Sequence, residues 1–162
     1  MITLYLYIKN INLIFLISIL VTSANVACAN YKVPNPDLNP TDVLILQLEA
    51  LKNNNVPFDD FGIGQTYEFA HPKNKAVTGP LQRFKRMIYD KHYKVLINHK
   101  AYTFNLISNS QSVAIFKVKI VDAKNKSFDF IWNISKFTAA GVLKNCWLTL
   151  SVSIPLKNNN SI

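Results

Sequence analysis

The sequence predicts an α+β protein in which N-terminal helices pack on a curved, cone-like sheet of four antiparallel strands. In the first half of the chain, apolar residues recur at the 3.6-residue spacing of helices, whereas in the second half they alternate with polar residues as in strands. The predicted strands are consecutive and their connections are short, which favours an antiparallel meander with helices on one face. The chain has 162 residues, and removal of the first 29 leaves 133, enough for one ordinary domain.

Residues 1–29 have the three parts of a secretory signal peptide: the positive Lys9, an uncharged apolar stretch over residues 11–26, and the small-residue site Ala27-Cys28-Ala29. We therefore expect an exported protein, periplasmic or secreted, that begins at Asn30. Two alternatives stay open: an uncleaved membrane anchor, and a lipoprotein acylated at Cys28. Cleavage would leave Cys146 as the single cysteine, without an intramolecular disulfide and within an apolar run typical of a buried residue.

Residues 30–39 are rich in proline and predict an extended arm before a single domain over residues 40–156, followed by a polar tail over 157–162. The first helix begins after Asn39, which can cap it, and Pro40 and Asp42 suit its first turn. Its apolar positions are Val43, Leu44, Leu48 and Leu51.

A shorter helix is predicted between Phe58 and Ala70, ended by His71-Pro72. Another helix follows Gly79-Pro80, with Thr78 as its expected N-cap. Its apolar face consists of Leu81, Phe84, Met87 and Ile88.

The first strand is expected within residues 93–106 and the second over 113–121, where Phe116, Val118 and Ile120 alternate with lysines. A third strand is expected over residues 128–134, with an apolar face formed by Phe128, Phe130, Trp132 and Ile134. The last strand covers 146–152, with an expected apolar face of Cys146, Leu148, Leu150 and Val152.

Several short segments together resemble an uncharacterised family of exported bacterial and plant-plastid proteins, a domain of unknown function. In chain order, they are Pro36-Asp37-Leu38-Asn39-Pro40, Gln47-Leu48-Glu49-Ala50-Leu51, Tyr67-Glu68-Phe69-Ala70-His71-Pro72, Thr78-Gly79-Pro80-Leu81 with Arg83-Phe84 and Met87, Trp132-Asn133-Ile134-Ser135, and Cys146-Trp147-Leu148-Thr149. The resemblance covers roughly residues 34–154 and implies membership of the nuclear transport factor 2-like, cystatin-like α+β cone superfamily. His71 stands where the family usually has serine, and Leu150 where an aspartate commonly follows the threonine. The resemblance implies a fold and no activity.

The sequence contains no recognisable catalytic motif. There is no glycine-rich phosphate loop, no nucleophile elbow, and no Cys/His cluster at metal spacing, so we expect neither cofactor nor metal. His71, close to Tyr67, is the best candidate for a general base, although a histidine that caps a helix is the commoner case. His92 and His99 lie among lysines and are expected at the surface.

The chain is basic, with a formal net charge of +9, or +8 without Lys9. Eight lysines and arginines against the single acid Asp90 lie between Lys73 and Lys100. A basic face is expected at Arg83, Lys85, Arg86, Lys91 and Lys94. Export makes nucleic acid an unsuitable partner, which leaves an anionic membrane surface, an acidic partner or plain solvation.

The leading hypothesis is an exported, non-enzymatic domain that binds a small apolar ligand or a protein partner. The candidate pocket residues are Tyr67, Phe69, His71, Phe84, Met87, Phe130, Trp132 and Trp147. The alternatives are an enzyme with a cone pocket, in which His71 or Tyr67 meets a sheet acid such as Asp129, and a basic module for anionic envelope surfaces.

We predict that fractionation of cells expressing the full chain finds a shortened form outside the cytoplasm, because the apolar stretch directs export and the small-residue site permits cleavage. N-terminal sequencing of that form should begin near Asn30. A full-length product confined to the cytoplasm would contradict the prediction.

Overall fold

The computed structural model describes residues 30–156. The predicted signal peptide, with its anchor and lipoprotein alternatives, and the polar tail lie outside the described residues. Within residues 30–156, no helix is both long enough and apolar enough to cross a membrane. In this described part of the chain, four helices precede a four-stranded antiparallel sheet, which confirms the predicted α+β class.

Helix α1 covers Pro40–Lys52 and begins as its sequence predicts. The side chain of Asn39 accepts hydrogen bonds from the backbone of Thr41 and Asp42, and the Asp42 carboxylate accepts one in return from the Asn39 backbone N–H. This reciprocal capping satisfies backbone donors that have no partner within the helix. The predicted apolar stripe is fully buried.

Helix α2 covers Phe61–Glu68 and packs directly on α1. A Cβ atom at Gly62 would lie only 2.0 Å from the carbonyl oxygen of Ala50, so the close approach of the two helices requires glycine. The extended arm reaches the same helix: the Tyr31 ring lies 5.0 Å from that of Phe61, and the Lys32 backbone N–H donates to Gln65.

Helix α3 covers Pro72–Thr78 and was not predicted. His71-Pro72 does end α2, but Pro72 also occupies the first turn of this new helix, a position that proline favours. The expectation that Thr78 caps the following helix is wrong, because Thr78 is the last residue of α3 and its hydroxyl donates to the Asn74 carbonyl. Helix α4, Leu81–Ile88, begins after Pro80 without a side-chain cap.

A short 3₁₀ helix, Lys94–Leu96, leads to the sheet. His99 follows it and is only 3% exposed, so the expected surface position is wrong for this residue. Its Nδ1 lies 2.8 Å from the Leu96 carbonyl oxygen, a bond that holds the ring against the turn.

The strands are β1 Ala101–Asn109, β2 Val113–Val121, β3 Ser127–Lys136 and β4 Trp147–Val152, paired in the order β1-β2-β3-β4. This is the predicted meander, and β2 has the predicted bounds. In the register, Phe116 pairs with Trp132 and Val118 with Phe130, so these side chains form one buried face toward the helices.

The expected apolar face of β4 is only partly correct. The pairing with β3 shifts between Asn133 and Ile134, so that Ile134 lies opposite Thr149 while Trp132 lies opposite Val152. Paired residues share a face, so Thr149 points toward the helices with the core. Leu148 is also fully buried but is not part of that core cluster.

We predict that Leu48→Ala lowers the free energy of unfolding by about 2–5 kcal/mol, because it leaves a cavity beneath α1. Ile45→Ala, at an exposed position of the same helix, should cost no more than about 1 kcal/mol. Leu48 is 0% exposed and Ile45 is 38% exposed. Urea denaturation of both variants measures the difference, and equal losses would contradict the assigned helix faces.

Candidate functional site

A cavity of about 400 Å³ lies between the helices and β4. All four helices contribute to its wall, as do the 3₁₀ segment, β3 and β4. Its lining consists of Gln47, Leu51, Thr66, Ala70, Lys73, Asn74, Val77, Thr78, Phe84, Met87, Ile88, Tyr93, Leu96, Trp132, Thr149, Leu150, Ser151 and Val152. The volume falls within the range of about 300–1,000 Å³ that is typical of small-molecule sites.

The exposure of the lining residues defines a base and a mouth. Gln47, Leu51 and Trp132 are essentially inaccessible to solvent and form the base. Lys73 and Ser151 are exposed, and Val77 of α3 is 75% exposed, so these three residues mark the mouth. The cavity therefore runs from solvent beside α3 to the underside of α1.

Three side chains at the base bond to one another, and we call them the base network. The Thr149 hydroxyl donates to Gln47 Oε1 over 2.6 Å, while Trp132 Nε1 lies 3.2 Å from both Gln47 Oε1 and Thr149 Oγ1. Gln47 Nε2 then donates to the Thr66 carbonyl of α2. Since buried polar groups are costly unless they are hydrogen-bonded, this network allows amide, hydroxyl and indole groups to lie beneath an apolar cavity.

The backbone of Thr149 is held from the other side by the corner between α2 and α3. Its N–H donates to the Phe69 carbonyl, and its carbonyl accepts from the His71 N–H and from Asn74 Nδ2. The two backbone bonds form an isolated parallel bridge between Ala70 and Thr149. The corner is therefore fixed to the sheet edge next to the cavity.

The predicted pocket residues separate into two groups. Phe84, Met87 and Trp132 line the cavity. Phe69 and Phe130 are fully buried in the core and do not line it. The other three predicted residues, Tyr67, His71 and Trp147, also lie outside the lining.

The rings of Tyr67 and Trp147 have structural partners. The Tyr67 hydroxyl donates to the Gly79 carbonyl, its ring packs 5.3 Å from that of Phe84, and Lys75 Nζ lies 4.6 Å from the ring centroid. Lys136 Nζ lies 5.0 Å from the Trp147 ring. Both rings thus bury apolar area while attracting a lysine.

His71 caps helix α3 with its own side chain. Its Nδ1 accepts a hydrogen bond from the Lys73 backbone N–H at 3.0 Å, which requires an unprotonated Nδ1. Burial, and secondarily the positive charge of Lys73, lowers the pKa of His71 below its usual 6.5. The ring packs 5.5 Å from Phe137, so its position matches the commoner expectation of a capping histidine.

Asp129 does not meet His71. The His71 ring packs against Phe137, which follows Asp129 by eight residues. At about 3.3 Å per residue along an extended chain, Asp129 and Phe137 are roughly 25 Å apart. Asp129 instead pairs with Lys117 at 3.2 Å on the sheet face opposite the core. Within residues 30–156, no group of three or more His, Cys, Asp or Glu side chains is placed to hold a metal ion.

The predicted basic residues are not equivalent. Lys85 is half-buried and pairs with Asp60 at 3.3 Å, whereas Lys91 and Lys94 are exposed. Arg83 and Arg86 line a second depression, together with Val77, Thr78, Met87 and Asp90, which we call the basic groove. Three of these residues, Val77, Thr78 and Met87, also line the cavity, so the groove adjoins the cavity mouth.

Sequence reasoning missed Gln47 and Thr149 as residues of the site. Gln47 follows Leu44 by three positions and precedes Leu51 by four, so it lies on the apolar stripe of α1, and a polar residue on such a stripe is a usable signal. Thr149 offered no such signal, because the shifted register of β4 is what turns it inward.

Comparisons with protein-family models, curated proteins and solved structures found no match to this chain. The resemblance to the uncharacterised exported family stays a prediction.

We predict that Gln47→Leu and Thr149→Val are energetically coupled. Each single variant leaves the other partner of a buried bond unsatisfied, so the double variant should lose about 0.5–3 kcal/mol less stability than the sum of the two. Urea denaturation of the four proteins measures this coupling. Gln47→Leu combined with Thr103→Val, which alters an exposed threonine of β1, is the control and should be additive; additivity in both pairs would argue against the base network.

Proposed function

We propose that this protein is an exported, non-enzymatic domain that binds a small apolar or amphipathic ligand in the cavity between its helices and β4. One observation carries the proposal: an apolar cavity of ligand size that joins solvent at one end and a hydrogen-bonded base at the other.

The chemistry of the lining supports binding. Of the 18 lining residues, ten are aliphatic, methionine, phenylalanine or tryptophan, and Lys73 is the single one that is charged at neutral pH. Apolar surface that enters such a cavity leaves water, which favours binding by about 0.8 kcal/mol for each buried methylene. The polar groups at the base already bond to one another, so an apolar ligand leaves none of them without a partner.

The same lining argues against the enzyme alternative. General acid–base or nucleophilic catalysis needs a titratable or nucleophilic side chain within reach of the substrate. Among residues 30–156, the lining contains no carboxylate, imidazole or thiol, so its serine and threonine hydroxyls have no such base to activate them. Its one amine, that of Lys73, belongs to an exposed residue at the mouth. Tyr93 is its one phenol, and burial, followed by the negative charge of Asp90, raises the pKa of Tyr93 while its hydroxyl donates to the Val152 carbonyl.

The alternative of a basic module for anionic surfaces has weaker support. A membrane-binding face gains from several free cations in one plane. Lys85, in the middle of the predicted face, is paired with Asp60, and the two arginines lie around the basic groove beside the cavity. The positive charge of the two arginines therefore lies beside the cavity.

Titration of the purified protein with the neutral apolar dye N-phenyl-1-naphthylamine tests the proposal. We expect saturable binding with increased dye fluorescence. Met87→Trp, which replaces the thioether side chain in the cavity by a larger indole ring, should weaken binding at least about tenfold, which corresponds to about 1.4 kcal/mol.

Leu81→Trp is the matched control, since Leu81 is a partly buried residue of the same helix that lies outside the cavity lining. It should bind the dye like the wild type, and melting curves establish that both variants fold. An absence of saturable binding in the wild type, or equal loss in both variants, would overturn the proposal.

A further inference from the structure

The basic groove and the apolar cavity are two chemically different compartments that share a wall. Val77 and Thr78 of α3 and Met87 of α4 line both of them. A ligand that passes between these three side chains would have one part in an apolar environment and another beside guanidinium groups. Neither compartment alone has this property.

The charge of the groove has a definite sign. Arg83 and Arg86 are both exposed and stand one turn apart on α4, and Asp90 is the one acid among the described residues that line the groove. Two guanidinium groups against one carboxylate leave a net positive charge, to which Lys73 adds at the cavity mouth. Guanidinium groups bind carboxylates and phosphates with paired hydrogen bonds, which an ammonium group cannot do.

The opposite end of the cavity excludes a charged group. Gln47 Oε1 already accepts from two donors, and the Trp132 indole N–H is occupied by the base network. A carboxylate at the base would find no free cation and would lose its hydration. An amphipathic ligand must therefore enter with its apolar end first.

From this arrangement we infer that the ligand is a single-chain anionic amphiphile, with its hydrocarbon chain in the cavity and its anionic head on Arg83 and Arg86. The inference rests on the proposed function and deepens it. A methylene is about as large as a water molecule, and at roughly 30 Å³ each the cavity of about 400 Å³ has room for on the order of a dozen carbons.

Displacement of N-phenyl-1-naphthylamine by dodecanoate and by 1-dodecanol tests the inference, because the two differ in their head groups. We expect dodecanoate to bind the wild-type protein about tenfold more tightly. In Arg83→Gln/Arg86→Gln, the affinity for dodecanoate should fall about tenfold, while those for the dye and for 1-dodecanol stay within about twofold. From octanoate to dodecanoate, the affinity should rise about fourfold for each added methylene.

Lys91→Gln/Lys94→Gln is the matched control, because it removes the same charge from exposed residues that line neither compartment. It should leave the preference for dodecanoate intact. If the lysine variant loses the preference for dodecanoate as much as the arginine variant does, the preference comes from the net charge of the protein and the inference fails.

Four other outcomes overturn the inference. Equal affinity for dodecanoate and 1-dodecanol, with normal binding of the dye, would agree with the proposed function but would contradict a preference for an anionic head group. Affinity independent of chain length would mean that only the carboxylate binds, at the protein surface, and that the hydrocarbon chain does not enter the cavity. Binding of intact phosphatidylcholine–phosphatidylglycerol vesicles that depends on both arginines would assign the groove to a membrane surface. If the dye itself fails to bind, the proposed function falls with the inference.

Discussion

The hydrogen bonds of Thr149 connect the parts of the molecule that enclose the cavity. Its hydroxyl bonds to Gln47 of α1 and to Trp132 of β3, while its backbone bonds to Phe69 and His71 at the corner between α2 and α3. In a low-dielectric interior such bonds are stronger than in water, and leaving any of them unmade is costly. One residue of β4 thereby sets the distance between the helices and the sheet.

That fixed distance explains how an apolar cavity persists next to a well-packed core. Protein interiors normally close around missing volume, and the unfilled contacts of a cavity reduce stability. Here α1 is held to the sheet by its buried glutamine, and α3 by Asn74, whose amide donates to the Thr149 carbonyl. The walls are attached through polar bonds, so the space between them does not depend on contact between apolar side chains.

The sequence predicted the regular parts of the fold well, because local chemistry determines them. Asn39 and Asp42 define the start of α1, and alternating lysines define β2, whose bounds agree with the prediction. Helix α3 was missed because a proline that ends one helix can also begin the next. The buried position of His99 depends on a turn that brings it against Leu96 and Tyr102, which local charge could not indicate.

The site was harder to predict than the fold, for a related reason. Phe84, Met87 and Trp132 were identified as aromatic or flexible apolar residues, and they line the cavity. Phe69 and Phe130 have the same character yet lie in the solid core, since composition does not distinguish a cavity wall from a packed interior. Thr149 enters the site through a shift in strand register, which arises only from the pairing of two distant segments.

The parallel bridge at Ala70 also affects how the sheet meets other molecules. An outer strand with free backbone N–H and carbonyl groups can recruit a strand from another chain, and proteins limit this risk by covering such edges. At Thr149, the outward-facing groups of β4 are already occupied by Phe69 and His71, and Pro72 follows directly with no N–H to offer. Within the described residues, this margin of the sheet is therefore blocked at its centre. The β1 margin, where Leu106 and Ile107 are exposed, is the more open of the two to a strand from another chain.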